Sequence, residues 1–183
     1  LIKESDLHTH DIYMGINNFT LAYIDLNDNN NENLQVIFES LNSTGVSLSS
    51  SDLVRNFLLM KLESASQTEL YKRYWVKIEK LFNTNIFTEF IRHYLVMKTH
   101  KLVKKDKVYD AYKEYYYHNK LDSEAALQDL YKFAIYYDQL LNSSTNIKEF
   151  NKVLDQLNIL GSKVIFPYFM LLLNLYDEGQ INS

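Results

Sequence analysis

Between Phe38 and Asp52 the sequence reads FESLNSTGVSLSSSD, a concentration of carboxylate, amide and hydroxyl side chains around one glycine. Leu34, Ile37, Phe38 and Leu41 repeat at helical spacing before it, and Leu53, Phe57 and Met60 follow it, so the polar run joins two helices. Gly45 supplies freedom to take positive φ, and Ser43 and Thr44 compete for backbone hydrogen bonds, so the first helix is expected to end near Asn42. Ser49 and Asp52 form an S-x-x-D box, which starts the second helix near Ser50. A loop of this kind can aim Glu39, Asn42, Ser43, Thr44 and several backbone N–H groups at one point. The partial positive charge at the start of the second helix would favour an anion such as a phosphate there. The same residues also suit an ordinary helical corner, with Asn42 capping one end and Ser49 the other.

Other constellations carry less. Ser47, Ser49, Ser50 and Ser51 have no nearby histidine to activate a nucleophile, and no G-x-x-x-x-G-K phosphate loop occurs. His8, His10 and Asp11 look like a metal cluster. A site of two histidines and a carboxylate needs converging side chains, however, and residues two apart diverge on a helix. His93 and His100 lack a third ligand, so no metal site and no catalytic residue is assigned. Lys101 to Tyr117, KLVKKDKVYDAYKEYYY, interleaves five lysines with aromatics. Lys104, Lys105, Lys107 and Lys113 could track a phosphate backbone while tyrosines stack on bases. Alternatively, Val108, Tyr112 and Tyr115 face a core and the lysines form its solvated side.

Apolar periodicity predicts the elements that must position these groups. A short helix is expected over 7–18, followed by one strand over about 19–26 (FTLAYIDL) and a polar loop at 27–33. Helices are then expected near 67–82, 86–99, 106–118, 123–142, 146–159 and 164–176, with Pro167 close enough to a helix start to be tolerated. The predicted fold is mainly α, a multi-helix bundle with one strand near its N-terminus, as in a piece of an α+β domain. A soft boundary at Glu63 to Gln67 separates a front part, 1–63, from an all-helical body, 64–183.

Composition agrees with helices joined by polar turns: the 183 residues include 4 glycines and 1 proline against 15 tyrosines and 10 phenylalanines. Cysteine is absent, which excludes disulfides and thiolate metal sites and makes the cytosol the expected location. The formal net charge of -4 lacks the basic footprint of a protein that grips nucleic acid as a whole, so any DNA contact must be local. The longest apolar stretch, Val164 to Tyr176, is well short of the ~20 residues of a membrane span. The first residues, LIKESDLHTH, and the last, INS after a turn-like DEG, give both ends the look of a cut.

The run Phe38 to Asn56 resembles GmrSD-type bacterial restriction and defence proteins. Their N-terminal ParB-like module carries an early D-G-Q-Q-R motif and a later F-x-x-x-N motif, commonly F-E-x-x-N-x-x-G-x-x-L-s-x-x-D-L. Phe38, Glu39, Asn42, Gly45, Leu48, Ser49, Asp52 and Leu53 match it in register; Arg55-Asn56 and the Tyr74-Trp75 pair also look like the family. The resemblance covers about residues 12–100. It implies binding and hydrolysis of a nucleoside triphosphate, with or without Mg²⁺, and DNA as the partner of an intact protein.

By that resemblance Asn42 would contact nucleotide or phosphate, Phe38 would pack its helix, and Gly45, Glu39 and Asp52 would complete the nucleotide-binding set. Two carboxylates alone do not make a Mg²⁺ site. The chain departs from the full pattern: it has neither D-G-Q-Q-R nor the H-x-x-P signature of an HNH nuclease. An upstream D-G-Q-Q-R segment and a downstream HNH module would therefore be its partners, and the chain alone is expected to be inactive. The rival expectation is a non-enzymatic helical module that binds DNA or a protein; a third is a spacer between two catalytic modules.

Overall fold

The computed structural model of the chain describes residues 9–20, 37, 40, 48–60 and 62–182. It forms two units, residues 1–30 and 31–183. Helix α1 (Thr9–Asn17) belongs to the first and exposes Ile12, Tyr13, Met14 and Ile16. The strand expected over 19–26 is not found at its described start. Phe19 and Thr20 take no strand conformation, because the Phe19 N–H closes the last turn of α1 on the Ile16 carbonyl. The remainder of that run lies outside the described residues, as do Phe38, Glu39, Asn42 and Gly45.

The second unit is helical, as the periodicity predicts, and no strand occurs among the described residues. Helix α2 (Ser50–Leu59) is followed by α3 (Ser64–Leu70), which runs through a π-helical turn, Tyr71–Trp75, into α4 (Val76–Leu81). Helix α5 (Thr84–Thr99), α6 (Val108–His118), α7 (Ser123–Leu141), α8 (Lys148–Ile159) and α9 (Phe166–Asp177) complete it. The stretch Glu63 to Gln67 forms the start of α3. Side chains write the helix starts: Ser49 caps α2, Asn83 accepts from the Ile86 N–H of α5, and Asp122 accepts from the Glu124 and Ala125 N–H groups of α7. Pro167 sits in the first turn of α9, where its missing N–H costs nothing.

Helix α7 is central, packing against α2, the π turn, α4, α5, α8 and α9. Around it lies an aromatic core in which Phe57, Trp75, Phe90, Tyr94, Tyr137 and Phe166 are all but fully buried. Their rings meet at centroid distances such as 5.3 Å for Phe90 and Tyr137 and 5.5 Å for Tyr137 and Phe166. The π turn has its own cause in this core. Its wider winding, marked by the Val76 N–H reaching the Tyr71 carbonyl, lets the adjacent Tyr74 and Trp75 both point inward.

Helix α2 is fixed by apolar and polar contacts together. Val54, Phe57 and Leu58 are fully buried, and Phe57 meets Tyr109 and Tyr116 of α6 edge to face. On its other side Glu79 of α4 accepts from the Arg55 guanidinium at 3.1 Å, the Trp75 indole N–H at 2.8 Å and the Tyr71 hydroxyl at 3.3 Å.

Two variants test this packing in urea denaturation. Phe57→Ala empties a fully buried site and is expected to cost about 3–5 kcal/mol. Tyr112 is equally buried, yet its hydroxyl has no hydrogen-bond partner among the described residues. Tyr112→Phe is therefore expected to leave stability unchanged or raise it by about 1 kcal/mol; a clear loss would show that the hydroxyl has a partner.

Candidate functional site

Of the residues that resemble the F-x-x-x-N motif, the last ones are described, and they build the start of α2. The Ser49 Oγ accepts from the Asp52 N–H at 3.1 Å and donates to the Asp52 carboxylate at 2.6 Å. That carboxylate also lies 3.4 Å from the Arg55 guanidinium. Asp52 thus faces Arg55, and it lines a pocket with Trp75, Glu79 and Phe87. Asp52 N–H and Leu53 N–H are taken by Ser49.

Ser49 and Ser50 lie on a different wall, that of an open cleft of about 430 Å³. Facing them are Thr84, Asn85, Ile86, Thr88, Glu89 and Arg92 of α5, with Lys105 from the connection into α6 and Val108 at the start of α6. Two helix starts therefore meet at one cleft. At α5 the Asn83 side chain and carbonyl occupy the Ile86 and Phe87 N–H groups. Thr88 reaches back across the gap, its hydroxyl donating to the Ser51 Oγ at 3.5 Å.

The cationic part of the cleft has a built support. One Arg92 nitrogen donates to the Nε2 of His93 at 2.8 Å and lies 3.7 Å from the Glu89 carboxylate. Because arginine only donates, His93 Nε2 must accept, so the ring proton sits on Nδ1 and is donated to the Tyr137 hydroxyl at 3.2 Å. His93 is buried. Burial first, and then the neighbouring Arg92 charge, push its pKa down to about 4, with Lys163 lowering it further and Glu89 opposing. Burial likewise raises the Tyr137 hydroxyl pKa. Glu89 is shared, since Lys163 lies 3.4 Å from its second oxygen. The Nε of Arg92 is buried without a partner among the described residues.

The lysine-tyrosine run resolves into parts that face different ways. Tyr109, Tyr112 and Tyr116 are buried in the core, so they offer bases no stacking surface. Lys104 and Lys107 line a groove of about 710 Å³ with Lys98, Lys101, Glu114 and His118. Lys105 turns instead to the cleft with Arg92, and Lys113 lies 4.7 Å over the Tyr109 ring. Within the groove Lys98 pairs with Asp129 at 2.8 Å and Lys107 with Asp110 at 3.3 Å.

The arrangement suits holding an anion. No cluster of three metal-ligating side chains occurs among the described residues, and His10 is exposed on α1. Both nitrogens of His93 are engaged, and the Ser49 hydroxyl is held by Asp52 and Ser51. Among the described residues no helix is long and apolar enough to cross a membrane. Arg92, Thr84, Asn85 and Thr88 were not singled out by sequence; the available signal was a lone arginine beside a histidine within the apolar run of α5. The chain is thus a mainly helical module with a polar, cationic cleft. No family model, curated protein or solved structure matches it.

The neutral His93 has a measurable consequence. Between pH 6.5 and about 4 the unfolded chain takes up a proton at this position that the folded chain refuses, so stability falls as pH drops through that window. In paired denaturant titrations His93→Gln is expected to lose less stability than the parent chain over the same window. Equal losses would show that His93 does not titrate as its surroundings dictate.

Proposed function

We propose that the chain is part of a nucleotide-dependent, modification-sensing bacterial DNA restriction protein similar to the GmrSD type. In this reading the segment 38–52 contributes the F-x-x-x-N part of a nucleoside triphosphate site, and the helical body relays the state of that site. One observation carries it: the described end of the motif-like run is the capped start of α2, which shares a cleft with Arg92 and Lys105. Cations and helix starts converging on one cleft suit the phosphates of a nucleotide, with or without Mg²⁺.

The relay follows from packing. Helix α2 contacts α5, α6 and α7, so a ligand that pulls on its first turn loads three other helices at once. Hydrolysis and DNA cleavage would need an upstream D-G-Q-Q-R segment and a downstream HNH module, with the cytosol as the setting. The second reading, a non-enzymatic DNA-binding module, is supported by the groove lined by Lys98, Lys101, Lys104 and Lys107.

In the intact protein Asn42→Ala is expected to abolish hydrolysis of nucleoside triphosphates while the fold, followed by circular dichroism, is unchanged. Retained hydrolysis would sink the assignment. DNA binding that weakens steeply with salt and ignores nucleotide would favour the second reading.

A further inference from the structure

We infer that the cleft between the starts of α2 and α5 binds the phosphate chain of a polyphosphate-bearing ligand, with Arg92 and Lys105 as its two cationic contacts. The inference deepens the nucleotide reading and takes its ligand class from it.

Charge supplies the first argument. Arg92 and Lys105 reach the cleft from different elements, and the carboxylate there, Glu89, is already divided between Arg92 and Lys163. Two cations, Arg92 and Lys105, thus stand in the cleft against one carboxylate, Glu89. Lys105 has no ion-pair partner among the described residues, and Arg92 shares Glu89 with Lys163.

Shape and chemistry narrow the ligand. The cleft's volume of about 430 Å³ is that of a small-molecule site. Beside Ile86 and Val108, its neutral lining offers donors that oxygen-rich groups use: the hydroxyls of Ser50 and Thr84 and the Asn85 amide. A single carboxylate would meet one cation and leave the other idle. A chain of phosphates can address both, with one Nη of Arg92 held by His93 and Glu89 and the guanidinium charge directed to phosphate oxygens. The helix starts at Ser50 and Thr84 add partial positive charge. The lysine groove fits this ligand less well, because Lys98 and Lys107 are paired with Asp129 and Asp110.

Isothermal titration of the 183-residue chain with inorganic triphosphate tests the inference. One site per chain is expected, weakening with added salt. Lys105→Gln, at an exposed position, and Arg92→Lys, which keeps the charge and loses the fork, should each weaken binding by about tenfold or more. Lys101→Gln, in the groove, should bind as the parent does. No binding, binding indifferent to both cleft variants, or an equal loss with Lys101→Gln would overturn the inference. The two readings separate cleanly. If the cleft variants lose triphosphate while intact Asn42→Ala protein still hydrolyses nucleotide, the cleft stands and the restriction reading fails. The reverse pattern removes the cleft and leaves that reading.

Discussion

The carboxylate of Glu79 joins the parts of this fold that matter for the cleft. It collects the Trp75 indole, the Tyr71 hydroxyl and the Arg55 guanidinium, and so ties α2 to the π turn and α4. A hydrogen bond to a charged group contributes about 1.5–3 kcal/mol where it is shielded and less where water reaches it. Glu79 is partly exposed, so its value lies in direction as much as in energy. With Arg55 held from one side and Phe57 packed against α6 from the other, α2 cannot roll. Its capped start is thereby presented to α5, and the cleft exists because of that.

The same geometry explains why α5 carries charge inside an aromatic core. Phe87, Phe90, Ile91 and Tyr94 bury one side of the helix, while Thr88, Glu89 and Arg92 fall on the side that faces α2. His93 lies between the two sets. Neutral and buried, it gives Arg92 an acceptor without adding a second positive charge, and its other nitrogen is anchored on Tyr137 of the central helix. The position of the arginine therefore depends on the packing of α7.

Much of the fold was legible in the sequence for a simple reason: the long helices α5, α7 and α9 bury a stripe of large apolar residues, and the stripe prints a 3.6-residue period. Ser49 and Asp52 gave away the start of α2, because a capping box is a local pattern. The π turn was not legible, since adjacent inward aromatics such as Tyr74 and Trp75 fit no α-helical period. Nor was the cleft. Ser50 and Arg92 meet only through tertiary packing, and no local pattern says that the start of one helix will face the side of another. The lysine-tyrosine run remained open between a nucleic-acid surface and a solvated helix face. Burial gives Tyr109, Tyr112 and Tyr116 to the core while Tyr115 lines the lysine groove and Tyr117 is exposed, and chain direction sends Lys105 away from Lys104 and Lys107.

A single anion site requires the two helix starts and the two cations to engage one ligand together. Backbone amide chemical shifts of the chain, followed as inorganic triphosphate is added, test it most directly. The largest changes are expected at Ser50, Ser51, Thr84 and Asn85, with those of Thr88, Arg92 and Lys105 saturating at the same concentration. Changes confined to Lys98 to Lys104 and His118, with the helix starts silent, would contradict it.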